Sequence, residues 1–294
     1  MGRPIIEWLP SGATDPGVDG QKANTAPTNW SEGANVRAGS LEVKGFGAIE
    51  QPSVDVPLKN YMQFEVTNAG SAGKITCSDV FNGLTYSASS DWSLHIFVRC
   101  DNALVVVDTV TIRATVQGDE QTQSVSDVRG AWKELTVVSR AASKSSSSVS
   151  FAIEAEDALS SGYTIRVAGI VGGRCIDFSR GARLEPDNVA DFQQVTSGSG
   201  LVQTDFWYDY DTLSLQSHDE SYEVGWLNGK EFELHAHNGL PFGVANDRSA
   251  RTKFWYPRMV KTSNSGLINV PVGGERYRLS FESRQQRLTS EVSS

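Results

Sequence analysis

The chain has 294 residues, 39% hydrophobic and 21% charged, with 35 acidic side chains against 26 basic ones and a formal charge of −9. That length holds ample material for a real core and suggests about two domains. Arg174, Arg180 and Arg183 are too sparse to make a basic patch, so a nucleic-acid surface, which needs clustered Lys and Arg to displace counterions, is excluded.

Residues 1–35 come first. Pro4, Pro10, Pro16 and Pro27, with Gly12, Gly17, Gly20 and Gly33, interrupt this stretch every few residues. Such punctuation opposes regular structure. Ile5, Ile6, Trp8 and Leu9 are nevertheless too apolar for a plain linker. We therefore expect an extended N-terminal arm, an assembly element that buries these four side chains against a neighbouring subunit or the particle wall. The opening residues lack the apolar run of a secretory signal, and Ile6 stands where myristoylation needs Ser or Thr. No segment reaches the roughly 18 apolar residues of a membrane span, so no membrane insertion is expected. Cys77, Cys100 and Cys175 form neither a CxxC pair nor a disulfide framework, which fits a protein made in a reducing cytoplasm.

From 36 to 176 the pattern is strand after strand. Weaker runs at 40–44, 61–67 and 74–77 precede strong ones. Trp92, Leu94, Ile96 and Val98 alternate with Ser93, His95, Phe97 and Arg99; Val110, Ile112, Ala114 and Val116 alternate with Thr111, Arg113 and Thr115. Further runs follow at 132–138, 149–155 and 163–171. Period-two alternation buries one face of a sheet and wets the other. It places Val110, Ile112, Val116, Phe151, Ile153, Ile165 and Val167 inside an antiparallel β-sandwich, and turns His95 toward solvent or a neighbouring strand. The serine run at 143–148 reads as a hairpin tip. Gly169-Ile-Val-Gly-Gly173 reads as the end of a strand with no helix to follow, which excludes a phosphate-cradling loop.

Several segments together resemble a known group: Asn29-Trp30-Ser31-Glu32-Gly33, Gly83-Leu84-Thr85-Tyr86-Ser87 leading to Leu94-His-Ile-Phe-Val, Gly130-Ala-Trp132-Lys-Glu-Leu-Thr-Val, Ser148-Val-Ser-Phe-Ala-Ile, and Gly162-Tyr-Thr-Ile-Arg-Val-Ala-Gly-Ile. They look like the jelly roll of carbohydrate-binding modules, and similar jelly rolls recur in tailed-bacteriophage fibre, tail and capsid-decoration proteins. The resemblance covers about half of the chain and implies an all-β fold: an antiparallel jelly-roll β-sandwich.

Residues 177–294 read as a second, smaller β-rich unit with a polar tail from 282. Strand-like runs occur at 201–210, 222–226, 231–235, 252–256 and 277–281. Two constellations stand out. On a strand, Glu233, His235 and His237 share one face and present a carboxylate and two imidazoles to a transition metal. Where a cupin-type site continues with Glu, however, this chain has Leu240-Pro241-Phe242, so strand-bonded or surface histidines are the simpler reading. Likewise Asp205, Trp207, Asp209 and Asp211 share a face on a strand, opposite Phe206, Tyr208 and Tyr210. Paired carboxylates can bind Ca²⁺ or serve as acid and base on a glycoside, but Tyr210 occupies the glycine position of an EF-hand loop, and a wet acidic face over a packed aromatic one explains the pattern. No Gly-x-Ser-x-Gly elbow is present, and the cysteines lack catalytic flanks.

No catalytic residue, metal or cofactor is therefore expected. Aromatic rings stack on the apolar face of a pyranose, which makes Trp30, Trp92, Trp207, Tyr208 and Trp226 the candidate glycan-binding residues, although a single Trp more often serves a core or an interface. Trp132 is assigned to the core. The expected protein is a non-enzymatic structural subunit of a tailed-phage particle, located in the virion. Its expected partners are itself (a homo-oligomer, with the trimer the usual fibre form), other virion proteins and a host-surface glycan. A glycan-binding module without a virion role is the alternative, with a glycan-cleaving enzyme using Asp209, Asp211 or Glu233 after it.

Overall fold

The computed structural model of the chain describes residues 3–47, 49–52, 58–84, 91–101, 107, 109–116, 118–140, 147–178, 183–196, 202–216, 228–238, 240, 242–245, 247–248, 254–255, 259–260, 268–273 and 276–285. In chain order the strands begin with β1 (Ile5–Trp8), β2 (Ser31–Glu32), β3 (Glu42–Gly45), β4 (Asn60–Val66), β5 (Gly73–Leu84) and β6 (Asp91–Cys100). Next are β7 (Thr109–Val116), β8 (Asp119–Val125), β9 (Lys133–Arg140), β10 (Ser147–Glu156) and β11 (Tyr163–Asp177). The long β12 (Arg183–Thr196) and β13 (Val202–Gln216) precede the helix α1 (Gly229–His237). The chain closes with β14 (Phe242–Ala245), β15 (Phe254–Trp255), β16 (Met259–Val260), β17 (Ile268–Gly273) and β18 (Arg276–Gln285).

Two compact units result. One holds Gly2–Asp177 with Val244–Trp255, the other Phe178–Gly243 with Tyr256–Ser294. The first unit is a sandwich of two antiparallel sheets. In one, the order is β15-β14-β1-β11-β4-β3, with β6 on the opposite side of β11 and β9 beyond it; in the other it is β2-β5-β10-β7-β8. The seven residues expected inside, from Val110 to Val167, are all buried in one apolar cluster between the sheets. Met62, Phe64, Leu94, Ile96 and Val98 face them across it. Each fully buried aliphatic contributes about 1.5–3 kcal/mol relative to exposure, so this interior is the main driving force for the fold.

The N-terminal stretch differs from expectation. Ile5, Ile6, Glu7 and Trp8 pair with Asp177, Ile176, Cys175 and Arg174 of β11 in the same chain. Ile5 and Ile6 are fully buried, Trp8 is 4% exposed, and Leu9 is half-buried. Ile5, Ile6 and Trp8 belong to the chain's own sheet and are not offered to a neighbouring subunit, while Leu9 follows the strand. The prolines did not forbid this, because Pro4 and Pro10 bracket a four-residue strand instead of interrupting it. The partner strand cooperates: a Cβ at Gly173 would run into the Trp8 carbonyl, and glycine leaves that space open. The rest of the stretch lies on the sandwich as well. Trp30 is buried and its Nε1 donates to the Pro16 carbonyl at 2.8 Å. The Asp19 carboxylate accepts from the Lys59 and Asn60 amides at 2.5 and 2.9 Å, and β2 pairs with β5.

Nor does β11 stop at its glycines. A register shift between Ala168 and Val171, with Gly169 at φ +56°, bulges the strand and lets it run on to Asp177. A bulge adds one residue and re-aims the side chains beyond it. The strand can thereby pair with β4 over its first half and β1 over its second.

In the second unit β12 pairs with β13, β13 with β18, and β18 with both β16 and β17. The β12–β13 register shifts where Asp191 meets Tyr208 and Phe192 meets Phe206, which leaves Trp207 as the extra residue of a bulge. The strict alternation expected from Asp205 to Asp211 is therefore broken: Asp205 lies opposite Gln193 and Asp209 opposite Ala190. The run 231–235, expected as a strand, lies in α1. Its apolar residues alternate by coincidence; in the helix Phe232 is buried, Leu234 is exposed, and Lys230 pairs with Glu233 at 2.9 Å. The serine run at 143–148 falls largely outside the described residues, as does the segment 222–226.

Candidate functional site

Many polar phases in the first unit face outward and are partly or fully exposed. Along β6, by contrast, eight consecutive residues, Asp91–Val98, are buried. Its inner phase fills the sandwich, so something must also cover its outer phase, and three successive environments do so along the outer face of this sheet.

At one end lies a buried charged cluster. Asp91 accepts two hydrogen bonds from Arg140, at 2.7 and 2.8 Å. Ser93 donates to Glu7, and Asp177 is bridged by Arg3 at 2.9 Å and Arg248 at 2.6 Å. Burial pushes the Asp177 carboxyl up despite the two guanidiniums, and it pushes the Cys175 thiol well above its usual range. This cluster ties the N-terminus and the 244–255 segment to the end of β11, with its carboxylates buried beneath part-exposed arginines.

The middle is aromatic. Tyr61, Phe97 and Ala168 are covered by Phe46 and Leu58, with Ile49 and Trp132 packed at the side. Trp132 Nε1 donates to the Glu50 carbonyl at 2.8 Å, so this tryptophan holds the covering segment instead of filling the sandwich core. His95, in the neighbouring row, bonds Glu134 of β9 at 3.1 Å and meets Phe97 edge-on at 4.9 Å.

The third environment is open and polar. Strand register aligns Glu42 with Gln63, Gln63 with Arg166, and Arg166 with Arg99, one row across four strands. Lys44 and Tyr61 are paired in the next row, Glu65 and Thr164 in the one before. Two guanidiniums directly opposite each other repel. Here Asp101, just past the end of β6, stands between them, ion-paired to Arg166 and 3.2 Å from Arg99 Nε. The Arg166 guanidinium also lies 5.3 Å over the Tyr61 ring, a cation–π contact. Burial, outweighing the pull of Arg166, raises the Tyr61 hydroxyl. Beside the row is a cavity of about 260 Å³ lined by Arg37, Ser40, Glu42, Gln63, Glu65 and Thr164 among others. Its donors and acceptors stand close together, as recognition of a polyhydroxylated ligand requires.

Neither Trp30 nor Trp92 presents its ring here. Trp30 and Trp92 are buried in the sandwich core, the latter 5.5 Å from Phe81, and cannot stack on a ligand. Trp207 and Tyr208 lie on β13 in the other unit, and Trp226 falls outside the described residues. His235 and His237 sit two apart on α1, about 200° around the axis, so they do not share the face that a strand would have given them with Glu233. Among the described residues no three His, Cys, Asp or Glu side chains gather to hold a metal ion, and no helix is long and apolar enough to cross a membrane. The row Glu42–Gln63–Arg166–Arg99 was missed because each member reads singly as an ordinary wet-face residue. Only the pairing of four strands assembles it.

No family model and no curated protein matches the chain. Solved structures with partial likeness to the chain include an arabinose-bound MgGH51 α-L-arabinofuranosidase, 18% identical over 57% of this chain and 26% of that one, with a TM-score of 0.37. The enzymatically active domain of bacteriophage CBA120 tailspike protein 4 is 12% identical over 50% of this chain and 19% of that one, with a TM-score of 0.33. The module TmCBM61, solved with β-1,4-galactotriose, is 10% identical over 51% of this chain and 90% of that one, with a TM-score of 0.34. The chain thus spans about a quarter or less of the first two. The first unit is an antiparallel β-sandwich of two sheets.

Proposed function

We propose that the chain is a non-enzymatic glycan-binding protein whose sandwich reads saccharides at the open end of the sheet around β11, and that it works as a fibre, tail or capsid-decoration subunit of a tailed-phage particle. The observation that carries the binding role is the polar row from Glu42 to Arg99 beside its cavity. Sugar hydroxyls are donors and acceptors at once, and Gln63, Thr164 and Ser40 can answer both roles while Glu42 and Glu65 accept. Tyr61, buried under Phe46 and Leu58, does not meet the ligand; its ring holds the Arg166 guanidinium in place. The virion setting rests on the sequence pattern shared with phage jelly rolls and on the acidity that keeps an abundant protein soluble.

A glycan array, with the same glycans assayed for release of reducing ends, tests the binding role. Binding without product is expected; product formation, or no binding to any glycan, overturns it. Immunogold labelling of the particles tests the setting, and unlabelled particles would leave a glycan-binding module with no virion role.

A further inference from the structure

The geometry points to a glycan that carries isolated carboxylates, a uronic or nonulosonic acid residue spaced by neutral sugars, held at the Arg99–Arg166 pair. This inference rests on the glycan-binding reading above and names the ligand class for the same face. Among the described residues, Arg37, Lys44, Arg99 and Arg166 stand in or next to the row and its cavity, with the carboxylates Glu42, Glu65 and Asp101 between them. Arg37 and Lys44 each have a carboxylate of their own. Arg99 and Arg166 share one, Asp101. The pair therefore holds one positive charge in excess, in a chain whose formal charge is −9. Arg99 Nε and Asp101 Oδ1 face each other at 3.2 Å without hydrogen-bond geometry, and the buried Arg166 Nε has no hydrogen-bond partner, so one carboxylate serves the two guanidiniums incompletely.

The side chains are 20%, 27% and 17% exposed for Arg99, Asp101 and Arg166. A ligand can reach them, yet little water screens them, and a charge-assisted bond is strongest in such a place. Guanidinium forks fit a carboxylate bidentately. The neutral groups next to the pair, Gln63 and Thr164, then suit the hydroxyls of the flanking residues.

The overall charge decides between kinds of acidic glycan. Repulsion from a net −9 acts over about 8 Å at physiological ionic strength. A dense polyanion would lay many charges along an acidic surface to satisfy one pair. A single carboxylate between neutral sugars meets the pair and avoids the rest.

The test uses the full chain and a panel of bacterial polysaccharides bearing uronic or nonulosonic acids, each beside its carboxyl-reduced form, with polygalacturonate as the dense polyanion. Titration calorimetry should show at least tenfold tighter binding of one or more sparsely acidic glycans than of their reduced forms, with polygalacturonate weaker. Arg166→Gln and Arg99→Gln should each abolish that advantage, so that the acidic and the reduced form of a glycan bind alike. Should these variants fail to fold, Asp101→Asn carries the test, since freeing the pair should strengthen binding of the acidic form. Equal or tighter binding of the reduced forms, a preference for polygalacturonate, or an acid preference that survives the substitutions overturns the inference and leaves glycan binding standing. Binding to nothing on the panel in either form overturns both.

Discussion

In the five-stranded sheet, β7 alternates buried Val110, Ile112, Ala114 and Val116 with half-buried Thr109, Thr111, Arg113 and Thr115, and β8 beyond it is exposed along six of its seven residues. In the sheet around β11, by contrast, β6 is buried at both phases, and its outer side supports a charged cluster, an aromatic layer and an open polar row. One sheet spends its outer face on solubility; the other carries charge, aromatic cover and a groove there. The difference tells where to look for function in such a sandwich: a polar phase that is buried has a neighbour, and the neighbours define the site.

The largest effect should come from a change that breaks what the two sheets share. Ile153 is fully buried between them, and Ile153→Asp would place an unpaired carboxylate there, with an expected loss of about 4–5 kcal/mol, enough to unfold many domains. Ser150→Asn on the outer face of the same strand should stay within about 0.5 kcal/mol. Chemical denaturation of both variants checks this, and similar losses would count against the observed register.

A smaller loss should follow from uncovering the second sheet. Trp8→Ala removes a buried indole that lies against Arg174 at 5.8 Å, with an expected cost of about 3–4 kcal/mol. Gly173→Val should weaken the same strand pairing by pressing on the Trp8 carbonyl. Because β1 belongs to the chain's own sheet, the losses should not depend on protein concentration. A melting point that recovers at high concentration would return these residues to a subunit interface.

How much of this was legible depended on distance along the chain. The alternation in β7, β10 and β11 is local and strong, so the sandwich and its seven interior residues could be read directly. β1 could not, because its four residues gain meaning only from Asp177 and Gly173, some 170 residues away. The two histidines of α1 misled because alternating apolar residues fit a strand and a short helix alike. The row at the candidate site was hidden for a third reason: Glu42, Gln63, Arg99 and Arg166 come from four strands, and only their register makes them neighbours. An aromatic search favoured tryptophans, and the largest rings went to the core, where burial is worth most.

The last prediction probes the outer face that faces water. Glu154 on β10 accepts from Arg113 Nε and Nη2 at 2.9 and 2.8 Å, and Lys74 Nζ lies 3.2 Å away. Burial alone would raise its carboxyl, but the hydrogen bonds from Arg113 and Lys74 outweigh burial and hold it below the usual carboxylate range. A carboxylate depressed in the folded state contributes stability that is fully present above its unfolded pKa, about 4.3, and is lost as pH falls through the folded value. Glu154→Gln should therefore cost about 1–2 kcal/mol at pH 7, reduced by the solvent exposure of Arg113. The gap in melting temperature between the two proteins should narrow as pH drops below about 4.3 and close once Glu154 is protonated in both states. Melts from pH 7 down to pH 2 measure it. A gap that stays constant across that range would mean the side chain acts through packing and shape instead of charge, and the outer face of this sheet would then owe its stability to the same apolar contacts as the inner one.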